Sequence, residues 1–340
     1  MLEVTIDKSK LQELLKWLGR ERRLFAPVVD RMGTIFTEVS DPSLVCLARG
    51  NANLSPKEAV FPQWEVLYTF EGDLHNEPEL TAQETVVMGV RPCDARAFSL
   101  LDKVFTWEGI DDPYYLHRRE KTTVVALACN EPRSACFCTS VGGSPAGEAG
   151  ADVLAFDLGD RLLLSTRTER GEALLEEVST LTEKATEADK KKAKKLVAEA
   201  ENKLKPVLIP KDLAVLKQSF DAEIWEELGL KCLGCGACAY VCPTCHCFDI
   251  TDETRRGSGR RVRSWDTCAS SQFTLHGSGH NPRPAQSARY RQRILHKFLY
   301  CPENFGEAFC VGCGRCVIHC PAGLDLREVL EKLVSLAGRV

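Results

Sequence analysis

The sequence has no G-x-G-x-x-G run behind a predicted strand, and so no support for a Rossmann dinucleotide site. Its glycine-rich stretch, Gly142-Gly143-Ser144-Pro145-Ala146-Gly147, lacks the Walker lysine, and the proline inside it disfavours a helix start. No pair of Cys-x2-Cys motifs sits at the two ends, where a nickel–iron active site would require them. No apolar run approaches the ~18–20 residues that span a bilayer. The opening Met1-Leu2-Glu3-Val4-Thr5-Ile6-Asp7 has no basic n-region ahead of an apolar core. A cytoplasmic chain without a membrane span is therefore expected. The net charge of −4 over 340 residues provides no basic field for nucleic acid. Nothing in the sequence points to a catalytic site of its own.

What the chain does have is cysteine, 17 in all. Without an export signal, and at a length that needs no covalent staples, thiols in this number are expected to bind metal. Two runs carry the chemistry: Cys232-x2-Cys235-x2-Cys238-x3-Cys242-Pro243 and Cys310-x2-Cys313-x2-Cys316-x3-Cys320-Pro321. In a bacterial ferredoxin run, three thiolates on a glycine-bearing loop wrap one cubane, and the fourth cysteine reaches the other. The expected ligand sets are thus Cys232, Cys235, Cys238 and Cys320 for one [4Fe–4S] cluster, and Cys310, Cys313, Cys316 and Cys242 for the second. Zinc needs only two Cys-x2-Cys knuckles and would leave cysteines of each run surplus. The implied function is electron relay.

Leu11, Leu14, Leu15 and Leu18 predict an amphipathic helix between Asp7, as its cap, and Gly19. The apolar runs Thr85–Val90 and Thr122–Ala128 flank a helical stretch from Ala95 to Val104 and predict a βαβ unit. A strand pair follows at Val153–Asp157 and Arg161–Ser165. The expected fold class is an α/β N-terminal domain with a mixed or parallel sheet, then an α+β, mostly helical dicluster ferredoxin-like domain with a long insertion. The expected bounds are 1–168 for the first domain, 169–220 for a charged helical linker and 221–340 for the second domain, its insertion at 243–309.

Cys93 and Cys129 both follow predicted parallel strands, which places them at one sheet edge. Cys136 and Cys138 share a short loop after Cys129, so the four predict a third [4Fe–4S] cluster; the competing reading is a set of inert buried cysteines. Asp94 is either an oxygen ligand there or an exposed helix-start residue. Cys245, Cys247 and Cys268 form a further group, open between metal ligation, with His246 as a fourth ligand, and a structural role. Cys46 and Cys301 read as structural. Arginines run from Arg255 to Arg263 and from Arg283 to Arg293. They offset cluster charge or form a solvated basic face; a nucleic-acid patch is the third reading, disfavoured because aromatics that would stack bases are sparse there.

Several segments together resemble a known family: Gly89-Val90-Arg91-Pro92-Cys93-Asp94, Ala128-Cys129-Asn130 through Cys138, Cys242-Pro243-Thr244-Cys245-His246-Cys247-Phe248, Trp265-Asp266-Thr267-Cys268, Gly279-His280-Asn281-Pro282-Arg283, Arg291-Gln292-Arg293 and His296-Lys297-Phe298. They resemble the β subunit of cytoplasmic sulfhydrogenases, the A subunit of anaerobic sulfite reductase and the dicluster subunit of flavin oxidoreductases that feed heterodisulfide reductase. The resemblance implies an electron conduit in a hetero-oligomer, between a flavin- and NAD(P)H-binding subunit and a catalytic redox subunit. It also strengthens the third-cluster expectation. Two other function classes stand beside it: a stand-alone flavin-dependent iron–sulfur oxidoreductase and a zinc-binding scaffold.

Overall fold

A computed structural model describes residues 2–337 apart from 32, 48, 49, 73, 78, 79, 81 and 211. The chain forms two compact units: residues 1–60, 82–206 and 311–314 make the first, and residues 61–81, 207–310 and 315–340 the second.

Among the described residues the first unit is built on an eight-stranded mixed sheet. The strands Arg23–Asp30, Thr85–Val90, Thr122–Leu127 and Val153–Asp157 run parallel as its centre. Thr85–Val90 and Thr122–Leu127 are buried along their whole length, as expected of parallel strands covered on both faces. Period-two alternation sends Val86, Met88, Val125, Leu127, Val153 and Ala155 to one face, where Leu14, Leu15 and Leu18 of helix Leu11–Leu18 join them. That helix starts after Lys10; Asp7 closes the preceding strand and makes no capping hydrogen bond with its side chain.

The charged stretch expected as a linker divides at Pro206. Helix Glu169–Glu177 buries Leu174 and Leu175 in the same core. Helix Glu187–Asn202 is fixed at its start by a capping box between Thr186 and Asp189. It buries Ala193 against Leu158 and Leu163 on the other side of the sheet. A narrow alanine stripe suffices for close packing, so the outward lysines and glutamates obscured the buried side from pattern reading.

In the second unit, much of the long insertion is a hairpin, Phe248–Arg255 and Ser258–Trp265. Arg256 and Gly257 both have positive φ, 51° and 83°, the geometry of a two-residue I′ turn. The hairpin pairs antiparallel with Trp64–Glu71, a strand drawn from far upstream. Arg263 and Glu65 meet there as a buried ion pair, side chains 4% and 5% exposed, with Nε donating to Oε1 at 2.8 Å. Arg263 also lies 5.3 Å from the Phe248 ring centre. Helix Gln286–Leu295 packs on helix Ile224–Lys231 where Gly229 lets the Ser287 backbone approach. It continues into a π-helical turn, His296–Tyr300.

Removing one partner of a buried ion pair strands the other charge. Glu65→Ala is expected to cost about 3–5 kcal/mol, whereas the apolar pair Glu65→Leu with Arg263→Met recovers most of it. Anaerobic urea unfolding of the two variants measures the difference.

Candidate metal centres

Cys232 ends helix Ile224–Lys231 as its cap residue, and the chain then turns through Gly234 and Gly236 at φ 67° and 73°. Only glycine takes those values at no steric cost, and the tight loop that results carries Cys235 and delivers Cys238 on helix Ala237–Tyr240. Cys232, Cys235, Cys238 and Cys320 line one cavity, with Cys316, Gln286 and Tyr290 beside them. Hydrogen bonds reach its sulfurs: Gln286 Nε2 donates to Cys232 Sγ at 3.2 Å, and the Leu324 N–H to Cys320 Sγ at 3.3 Å. Such donors stabilise the more negative, reduced state of a cluster. Of the other run, Cys310, Cys316 and Cys242 lie in the second unit and Cys313 in the first.

In the first unit, Cys93, Cys129, Cys136 and Cys138 line a second cavity, together with Asn51, Arg91 and Arg133. The fold accounts for the grouping. Cys93 opens helix Pro92–Phe105 behind one parallel strand, and Cys129 follows the next. Arg91 clamps this edge, donating to the carbonyls of Ala128 and Leu47 at 3.1 Å each. Asn51 Nδ2 donates to the Cys313 carbonyl at 2.8 Å, and Cys136 Sγ approaches the same oxygen at 3.5 Å. Burial pushes the Cys136 thiol up to about 12 and Cys138 to about 11. Burial also raises Cys129, against the pull of Arg91. Free, these thiols keep their protons at neutral pH, and iron binding would release them. Asp94 is 1% exposed, which removes the reading of it as an exposed helix-start residue.

Around Cys242 the electrostatics change. A hydrogen bond from Cys245 holds Cys242 well below the usual thiol range, with Lys297 and Arg293 acting in the same direction. Arg293 donates from NH1 to Cys245 Sγ at 3.3 Å and from NH2 to the Cys238 carbonyl at 2.8 Å. Lys297 Nζ donates to Thr244 Oγ1 at 3.0 Å and to the Phe309 carbonyl at 3.1 Å. Arg293 is 5% exposed and Lys297 4%, and among the described residues no carboxylate pairs with either. The hairpin arginines are held differently, Arg260 by Glu253, Arg261 by Asp252 and Arg263 by Glu65.

Sequence reasoning missed Lys297 and Gln286 as groups at these sites. The signal for Lys297 was a cation set among the apolar residues Ile294, Leu295, Phe298 and Leu299. The π-helical turn that aims it inward is a backbone feature with no sequence signature of its own.

Among the described residues no three His, Cys, Asp or Glu side chains come close enough to share a single metal ion. A cubane asks for a looser cage, because each thiolate binds a different iron.

These cavities and motifs define a class, the iron–sulfur proteins, and residues 231–324 match the family model of the 4Fe-4S dicluster domain. The chain is an iron–sulfur electron-transfer subunit whose dicluster domain carries two [4Fe–4S] clusters. Over 335 residues it is 30% identical to the sulfhydrogenase 2 subunit beta of Pyrococcus furiosus, with 98% of each chain covered. The chain belongs to the family of that sulfhydrogenase β subunit, in agreement with the resemblance of its motifs. Among the described residues no helix is long and apolar enough to cross a membrane.

Arg293→Gln removes a buried positive charge beside the cluster thiolates, so the added electron is less well compensated. The potential of the neighbouring cluster is expected to fall by on the order of 60 mV, equivalent to about 1.4 kcal/mol for one electron. Redox titration followed by electron paramagnetic resonance reads the shift.

Proposed function

We propose that this chain relays single electrons between a flavin- and NAD(P)H-binding subunit and a catalytic redox subunit, and has no substrate site of its own. The observation that carries the reading is the convergence of Cys232, Cys235, Cys238 and Cys320 on one cavity. That is the cage the ferredoxin motif calls for, with its fourth ligand taken from the other run. The same motif assigns Cys310, Cys313, Cys316 and Cys242 to the second cluster. A third [4Fe–4S] cluster is assigned to Cys93, Cys129, Cys136 and Cys138, supported by their shared cavity at the carboxyl edge of the parallel strands. The relative from Pyrococcus furiosus is named as a sulfhydrogenase subunit, which supports membership of a hetero-oligomeric oxidoreductase.

Bound cubanes supply one-electron storage. The chain supplies the rest of the chemistry. Its thiolates hold the iron, Gln286 and the Leu324 N–H donate to sulfur, and Arg293 and Lys297 offset the negative charge. Packed side chains around the sulfurs keep the dielectric low, so small changes in these donors move the potentials.

Two measurements on anaerobically purified protein test the proposal. Cys129→Ser is expected to lower iron and acid-labile sulfide by about four each per chain, the content of one cubane; unchanged content removes the third cluster. NADH or NADPH is expected to reduce the clusters only when the flavin subunit is added, and reduction of the purified chain alone would sink the relay reading.

A further inference from the structure

Four cysteines outside both sites already described line a separate cavity in the second unit: Cys245, Cys247, Cys268 and Cys301. They come from three places in the sequence, and the fold explains their meeting. Cys247 immediately precedes the hairpin and Cys268 follows it. The hairpin register pairs Phe248 with Trp265, and the Asp266 N–H donates to the Cys247 carbonyl at 3.0 Å, closing the base. Cys247 and Cys268 then stand in side-chain hydrogen-bond contact. Cys301 arrives on helix Cys301–Phe305, directly behind the π-helical turn His296–Tyr300 that also turns Lys297 inward.

The walls are cationic. Lys297 and Arg293 both line the cavity, with Arg293 donating to Cys245 Sγ at 3.3 Å. A buried ammonium and a buried guanidinium without a carboxylate are expensive to desolvate unless an anion faces them. The dicluster ligands Cys238 and Cys242 face these cations from one side; neutral thiols at Cys245, Cys247, Cys268 and Cys301 would add no negative charge on the other. A four-thiolate iron–sulfur cluster is anionic and adds it. The site in the first unit has a related make-up: a Cys-x-Cys pair, Cys136 and Cys138, joins Cys93 and Cys129 from separate elements, with Cys313 also on its wall.

We propose that Cys245, Cys247, Cys268 and Cys301 hold an additional [4Fe–4S] cluster, with Arg293 and Lys297 as its charge-compensating neighbours. The site adjoins Cys242, whose sulfur is in hydrogen-bond contact with that of Cys245. It is therefore placed to extend the relay from the second cluster of the dicluster pair. The proposal stands independently of the third cluster in the first unit.

The test measures iron, acid-labile sulfide and zinc per full-length chain after anaerobic reconstitution. Cys268→Ala and Cys301→Ala are each expected to remove about four irons and about four sulfides relative to wild type. A third variant, Cys129→Ala, leaves the new site untouched and guards against misfolding of the other two. It is expected to retain about twelve irons, two dicluster cubanes plus the proposed one. Iron and sulfide unchanged in both Cys268→Ala and Cys301→Ala overturn the proposal. So does retention of only about eight irons in Cys129→Ala, or zinc that is lost from Cys268→Ala without any loss of sulfide.

Discussion

Two cations, Arg293 and Lys297, are buried among cysteine sulfurs of the second unit, and no carboxylate among the described residues compensates them. In a low-dielectric interior an unpaired charge is among the costliest features a fold carries. The surrounding sequence is arranged around this constraint. Thr244 and the Phe309 carbonyl accept from Lys297, the Cys238 carbonyl accepts from Arg293, and the remaining field is left for thiolates. His296, next in line, has its pKa lowered to about 4 by burial and by these same cations, so its ring stays neutral near neutral pH. A polypeptide that buries positive charge among cysteine sulfurs, with no carboxylate pairing it among the described residues, is organised for an anionic cofactor.

The two units reach thiol-lined cavities by different means. In the first, the parallel sheet does the gathering: consecutive strands end at one edge, and whatever residue follows each strand is delivered there. In the second, tight glycine turns and a hairpin base do it, with left-handed φ values at Gly234 and Gly236 bending the chain back on itself. Arg91 in the one and Arg293 in the other bind backbone carbonyls as well as facing sulfur. Each therefore fixes the position of a cysteine-bearing loop while supplying charge.

Much of this was legible in advance where the information is local. The amphipathic helix Leu11–Leu18, the strands Thr85–Val90 and Thr122–Leu127 and the helix between them followed from periodicity. The charged stretch at 169–206 was harder, because Ala193 and Ala200 make contact without announcing themselves as apolar. The strand Trp64–Glu71 was invisible for another reason. Its partner, Ser258–Trp265, lies far along the chain, and long-range pairing has no local signature.

The sequence by itself determined the two cubanes, because ligand spacing within a loop is a property of the loop. It also pointed to Cys93, Cys129, Cys136 and Cys138, since strand ends in a βαβ unit share an edge whatever surrounds them. Tertiary structure alone decided that Cys301 meets Cys245, Cys247 and Cys268, and that Arg293 and Lys297 face inward. The hairpin and the π-helical turn bring those residues together, and neither register nor an extra backbone residue per turn is written in the spacing of the cysteines.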